Sequence, residues 1–307
     1  MEPTDLKDFR CGMVSIVGRP NVGKSTLLNH ILKEKVAIVS KVPQTTRLKV
    51  RGIFTDQRGQ IIFFDTPGLH LAKDALGHCM NASSQESMQD ADCIIHLVDS
   101  SEPTGREEEM VVERLKDARA PLILGLNKID LKGRHADQYI SLWQKIKKEA
   151  INNTSLFLIL PLSAKTGYNV DQLLDFIFAR LPKGPALYPE DIISDMPQKI
   201  AVADIIREKL FQIMRQEVPH SIGVVVRQMV SRKENLVYID AEILVERESQ
   251  KEIVIGKNGA ILKRIGTIAR AELEGLLESK VFLDLHVKSE KRWRDNPSLL
   301  EEMGYYS

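Results

Sequence analysis

Residues Gly18-Arg19-Pro20-Asn21-Val22-Gly23-Lys24-Ser25 fit the spacing G-x-x-x-x-G-K-[ST], and this stretch constrains the fold more than any other. Its backbone N–H groups can converge on an anion only if a strand leads in and a helix leads out. The helix N-terminus then adds a partial positive charge. Both flanks comply, since Val14–Val17 is a short apolar run and Ser25–Leu32 has helical periodicity. A strand feeding straight into a helix calls for a parallel sheet, because parallel neighbours are joined by crossovers.

The rest of the first part repeats that unit. The apolar runs Ile61–Phe64, Ile94–Val98, Leu122–Leu126 and Phe157–Leu160 read as strands buried on both faces. Helical patterns fall between most of them, at Glu107–Asp117, Ile140–Glu149 and Val170–Leu181. Lys49–Phe54 is the exception, because the turn Asp56-Gln57-Arg58-Gly59 joins it to Ile61–Phe64 as an antiparallel hairpin at one edge. The expected fold class is α/β, a mostly parallel sheet with helices on both faces. A second, α+β domain follows. Five Pro and Gly residues between Pro182 and Pro197 mark a linker, so the expected boundaries are 11–182, a linker at 183–198, a second domain at 199–290 and a tail at 291–307.

Composition excludes more than it identifies. A chain of 307 residues with 43% hydrophobic and 28% charged residues is globular, and no apolar run reaches membrane-spanning length. Its net charge is +1, and residues 196–307 hold 18 Lys/Arg against 17 Asp/Glu, so any nucleic-acid site must rest on local placement. Cys11, Cys79 and Cys93 lack metal-ligand spacing and read as thiols of a reducing compartment. The polar N-terminus has no secretory or transit character, so a cytoplasmic location is expected.

The loop Gly18–Ser25, extended by Thr26, is expected to bind the phosphates of GTP or GDP, with Lys24 on the β- and γ-phosphates and Ser25 on Mg²⁺. Asp65-Thr66-Pro67-Gly68 ends a strand, where Asp65 can hold the same cation and the Gly68 N–H can meet a γ-phosphate. Asn127-Lys128-Ile129-Asp130 ends the next but one. There Asp130 can accept from N1–H and the 2-amino group of guanine, a pair that adenine does not offer, and as a buried carboxylate left unpaired by adenine it would be strongly penalised. Asn127 can tie this loop to the phosphate loop and the Lys128 stem can cover the base. Ser163-Ala164-Lys165 places the Ala164 N–H for the guanine O6.

Between these lies Pro43-Gln44-Thr45-Thr46-Arg47, where a Thr that ligates Mg²⁺ only beside a γ-phosphate would act as the switch; Thr46 is favoured over Thr45. Lys24, Thr46 and Gly68 are thus the catalytic set, and Ser25, Thr46 and Asp65 the metal set. Leu69 stands where many such enzymes carry a water-orienting Gln, so slow intrinsic hydrolysis is expected. Asn21 has two open readings. It either helps hold K⁺ against the phosphates in place of an arginine finger, or merely suits a tight turn.

Beyond the linker the order is helix (Lys199–Val218), strands Gly223–Val230 and Leu236–Val245, a Gly-containing loop, helix (Ala260–Leu277) and strand (Val281–Val287). Within it Ile253-Val254-Ile255 leads into Gly256-Lys257-Asn258-Gly259 at a helix start. That loop lets backbone approach a nucleic-acid strand, with Lys257 on phosphate and Lys263 following. Ile253, Ile255, Ile261 and Ile265 are candidates for an apolar floor under the bases, half of them as core. Lys288, Lys291, Arg292, Trp293 and Arg294 either extend the contact or form a solvated terminal helix.

The segments Val17–Thr26, Gln44–Arg47, Asp65–His70, Asn127–Asp130 and Gly256–Gly259 resemble the Era family, a single GTPase domain followed by a type II KH domain, over nearly the whole chain. The resemblance implies a GTPase that binds the 3′ end of small-subunit ribosomal RNA. It also implies action in small (30S) subunit assembly and 16S RNA maturation, as a monomer, with some peripheral association at the inner membrane surface. Leu69 is shared with that pattern. Two alternatives stay open: a GTPase that regulates a protein partner, and an RNA scaffold with negligible turnover. A tandem GTPase is excluded by the single set of motifs.

Overall fold

The structure, a computed structural model, describes residues 8–40, 46–68, 72–133, 135–146, 157–214 and 221–305. It divides into two compact units, the first holding most residues up to Asp195 and the second those from Met196 onward.

The first unit is built on a six-stranded sheet of order β2-β3-β1-β4-β5-β6. Its strands are β1 (Arg10–Val17), β2 (Val50–Asp56), β3 (Gly59–Asp65), β4 (Cys93–Asp99), β5 (Leu122–Asn127) and β6 (Phe157–Pro161). β1, β3, β4, β5 and β6 run parallel, and β2 alone pairs antiparallel, as the hairpin turn requires. Every residue of β3, β4 and β5 is buried, which is why they read as apolar runs, interrupted within Ile94–Val98 only by the buried His96. The helices are α1 (Lys24–Leu32), α2 (Ala75–Gln89), α3 (Arg106–Leu115), α4 (Ala136–Ile146) and α5 (Val170–Phe178). On α3 and α4, Val111, Val112, Leu115, Tyr139 and Trp143 bury their apolar faces against β4 and β5.

The segment read as a linker is strapped along this unit. Cys11 N–H donates to Pro182 O at 3.0 Å and Ile53 N–H to Ile193 O at 2.9 Å. The fully buried Gln60 side chain accepts from Leu187 N–H (2.8 Å) and Tyr188 N–H (2.9 Å) and donates to Tyr188 O at 2.9 Å. Its Pro and Gly spacing suits an irregular strap as well as a free tether.

The second unit contains α6 (Gln198–Ile213), β7 (Gly223–Lys233), β8 (Leu236–Val245), α7 (Glu248–Ile255), α8 (Ala260–Leu276), β9 (Lys280–Ser289) and α9 (Pro297–Glu302). β7 and β8 pair antiparallel and β8 and β9 parallel. One core joins Ile206, Leu210, Ile239, Ile243, Ile265 and Leu273 from α6, β8 and α8. The stretch expected as loop before Gly256 is in fact a helix, α7, started by Gln250 Oε1, which accepts from the N–H groups of Glu246 (3.0 Å) and Arg247 (3.1 Å). In the tail Trp293 is withdrawn from stacking and the segment is not a freely solvated helix. Trp293 is fully buried and donates to Ser221 O at 2.9 Å, and Leu300 of α9 is buried too. Arg292 and Arg294 are paired with Asp295 and Glu246. No helix among the described residues is long and apolar enough to cross a membrane.

Candidate functional site

The parallel strands end on one side of the first sheet, and the polar residues of the sequence motifs sit at those ends. β1 leads into the phosphate loop, where Lys24 is buried with its Nζ on Gly18 O (3.0 Å) and Arg19 O (2.9 Å). Burial pushes its ammonium down to about 8, against the opposing charges of Asp65 and Glu108. Asn21 has φ 64, the left-handed conformation that Asn tolerates. At the end of β3, Asp65 Oδ2 accepts from Ser25 Oγ (2.6 Å) and Thr46 Oγ1 (3.2 Å), and those two hydroxyls are 2.8 Å apart. The other oxygen, Oδ1, is buried with no hydrogen-bond partner, and burial raises the Asp65 carboxyl above its ordinary range. Two hydroxyls and a desolvated carboxylate suit a small hard cation, whose charge would relieve that burial. Of the two threonines weighed, Thr46 makes these contacts; Thr45 and Leu69 lie outside the described residues.

Thr66 Oγ1 donates to Ile16 O at 2.8 Å, locking the turn after β3 onto β1. Pro67 and Gly68 are buried, and a Cβ on Gly68 would stand 2.8 Å from Pro20 N, so only glycine lets the two loops approach.

At the end of β5, Asn127 joins three segments. Its Nδ2 donates to Val22 O at 2.7 Å, its Oδ1 accepts from Ala164 N–H at 2.8 Å, and its carbonyl accepts from Ser100 Oγ at 2.7 Å. The Ala164 N–H expected on guanine O6 is therefore engaged by Asn127, because the two loops pack directly together. Lys128 is tethered by its ammonium to Asp99 Oδ2 at 2.5 Å. Asp130 is not buried as expected; it is exposed, beside exposed Ile129 and Lys165, and held by Ser163 Oγ at 2.7 Å. Its desolvation, and with it the penalty against adenine, would come only when a base covers it.

In the second unit α7 ends at Gly256, and Gly256 (φ 71), Asn258 (φ 52) and Gly259 (φ 73) bend the chain sharply into the 17-residue α8. A Cβ on Gly256 would meet Ile261 at 2.6 Å. Lys257, Asn258 and Lys263 are exposed around the N-terminus of α8, where helix dipole and ammonium groups favour an anion. Beside them Ile253 is 49% exposed and Ile255 and Ile261 are half-buried, leaving apolar surface next to the loop. Ile265 belongs to the core. Among the described residues no three His, Cys, Asp or Glu side chains form a metal cluster.

Residues 13–128 match the family model of the 50S ribosome-binding GTPase, and residues 217–294 match that of the KH domain. The class is thus a P-loop GTPase that carries a KH domain. GTPase Era of Halothermothrix orenii is 44% identical over 97% of this chain and 99% of its own, and GTPase Era of Geobacter sp. is 47% identical over 97% and 99%. A point variant of Aquifex aeolicus Era bound to GDP·AlF4⁻ superposes with a TM-score of 0.88 at 41% identity, over 97% of this chain and 100% of that one. Era in complex with MgGDPNP and nucleotides 1506–1542 of 16S ribosomal RNA gives 0.89 at 41% identity over the same shares. The chain belongs to the Era family of GTPases.

Proposed function

We propose that this GTPase is a switch that binds the 3′ end of small-subunit ribosomal RNA through its KH domain. In this reading it acts in 30S subunit assembly and 16S RNA maturation, as a cytoplasmic monomer. The relative that superposes over 97% of the chain holds MgGDPNP and that RNA together. The domain limits are 11–182 and 199–290.

The observation that carries the switch is the cluster of Ser25, Thr46 and Asp65. Thr46 stands at the end of a loop and Ser25 at the start of a helix, and one carboxylate oxygen gathers both. Mg²⁺, when bound, supplies positive charge against the phosphates and is held by these three residues. A γ-phosphate adds a reason for Thr46 to stay, and its loss removes that reason. Lys24 leaves the carbonyls of Gly18 and Arg19 for the β- and γ-phosphates, the phosphate loop and the Gly68 N–H line the remaining oxygens, and Asp130 reads the guanine edge. Leu69 cannot orient water, so turnover is slow unless a partner assists. Potassium held near Asn21 would supply some of the missing transition-state charge.

In the KH domain the exposed Lys257 and Asn258 meet RNA backbone, and Ile253, Ile255 and Ile261 floor the bases. Crosslinking to cellular RNA, with GDP and with a non-hydrolysable GTP analogue, tests the whole reading. Small-subunit RNA should be recovered more strongly with the analogue, and Lys257→Asp with Asn258→Asp should abolish recovery. Equal recovery in both nucleotide states would remove the switch. Recovery untouched by the double variant would favour a protein-docking role for the second domain.

A further inference from the structure

The phosphate loop carries one long side chain that its work on phosphate does not use. The Arg19 carbonyl accepts from Lys24, but its guanidinium turns into the layer formed by α3 and α4. There Arg19 Nε lies 2.7 Å from Glu108 Oε2, and Nη2 donates to the Tyr139 hydroxyl at 3.0 Å. The Nε–H is not aimed at the carboxylate oxygen, so charge holds that pair and Tyr139 supplies the directional contact.

Glu108 is fully buried, a position strongly unfavourable for a carboxylate unless charge and hydrogen bonds compensate it. Its Oε1 lies 2.7 Å from Nε2 of His96, also fully buried. His96 Nδ1 accepts from Trp143 Nε1–H at 3.0 Å, so the ring proton sits on Nε2 and donates to Glu108. The chain of contacts runs on through the Tyr139 hydroxyl, whose single proton is shared between Asp99 O at 2.9 Å and Glu102 O at 3.0 Å. The Asp99 carboxylate in turn tethers Lys128 beside Asp130.

We propose that Glu108, oriented by His96 and Trp143, is a positioning residue that sets the phosphate loop for nucleotide through Arg19, and that Tyr139 joins this setting to the base-reading loop. The proposal rests on the nucleotide-site reading above. Arg19 is one residue from Gly18 and five from Lys24, so fixing its side chain fixes two carbonyls that hold the Lys24 ammonium. A loop ordered in advance spares the nucleotide the entropy of ordering it. Glu108 touches no reacting atom, so its effect falls equally on ground state and transition state, on KM and not on kcat.

Glu108→Gln keeps shape and removes charge. In the full-length protein, titrated with fluorescent GDP and GTP analogues, it should weaken both by about tenfold, with kcat at saturating GTP within about twofold of wild type. In an Arg19→Ala background the same substitution should weaken binding no further. Tyr139→Phe removes a single oxygen and serves where Glu108→Gln fails to fold; it should weaken both nucleotides by about threefold. A purely structural role would lower the melting temperature and leave Kd and KM in place at temperatures where the variants are folded. That result, or an undiminished effect of Glu108→Gln without Arg19, overturns the proposal while tight wild-type binding keeps the nucleotide site. Failure of the wild type to prefer guanine nucleotides would take both readings down.

Discussion

Replacing Asn127 by alanine should cost the first unit far more than one polar side chain's ordinary share. The amide meets Val22 O at 2.7 Å and Ala164 N–H at 2.8 Å, and all three residues are at most 2% exposed, so water cannot take its place. Two hydrogen bonds vanish and two buried backbone groups are left without partners, which together cost roughly 2–5 kcal/mol. In a unit of this size that lowers the melting temperature by roughly 5–15 °C. Asn127→Asp separates hydrogen bonding from packing, since it keeps an acceptor for Ala164 N–H but sets a carboxylate oxygen against Val22 O. It should be at least as damaging as alanine at neutral pH. Urea unfolding of the full chain, with and without GDP, measures both effects. GDP should rescue less of the loss than expected from the wild-type affinity, because the phosphate loop and the Ala164 loop have lost their common anchor. A loss below about 1 kcal/mol for alanine, or an aspartate variant like wild type, would refute the reasoning.

Nucleotide binding should depend on pH through Lys24. Only its charged form pairs with phosphate, so GTP affinity is level below about pH 8 and falls by up to about tenfold per unit above it; isothermal titration should show proton uptake there. The sign reverses for the ligand-free fold, which gains stability from this group between about 8 and 10.5, where the unfolded chain holds the extra proton. Potassium should raise the GTPase rate over sodium at equal ionic strength, and Asn21→Ala should erase the difference; equal wild-type rates would assign Asn21 to its left-handed turn alone. Gly68→Ala should weaken GTP more than GDP, since its Cβ would press on Pro20 where the γ-phosphate side of the site closes, and nucleotide competition would reveal it.

The sheet was legible because its inner strands β3, β4 and β5 are buried on both faces and so leave apolar runs. The helix α2 was not. It packs through Ser84 and Ser87, whose hydroxyls return to the carbonyls of Met80 (2.9 Å) and Ser83 (2.8 Å), so its buried face resembles a polar loop in sequence. The helix α7 opens on Glu248-Ser249-Gln250-Lys251-Glu252 and hides its start in one glutamine amide. The nucleotide loops were readable since short motifs fix their chemistry, but Asp130 was expected inside and stands at the surface, because only a bound base would cover it. Glu108 escaped notice among Glu107 and Glu109. Its signal was periodicity, since it shares the buried stripe of Val111, Val112 and Leu115.

The strap from Pro182 to Asp195 runs beside β2, the outermost strand of its sheet, and Ile193 takes up the N–H of Ile53 there. An outer strand with bare amides is a template on which another chain can add itself. Proteolysis within the strap would therefore do more than sever the polypeptide. It would uncover a sticky margin, and the fragment released should self-associate more readily than the intact chain.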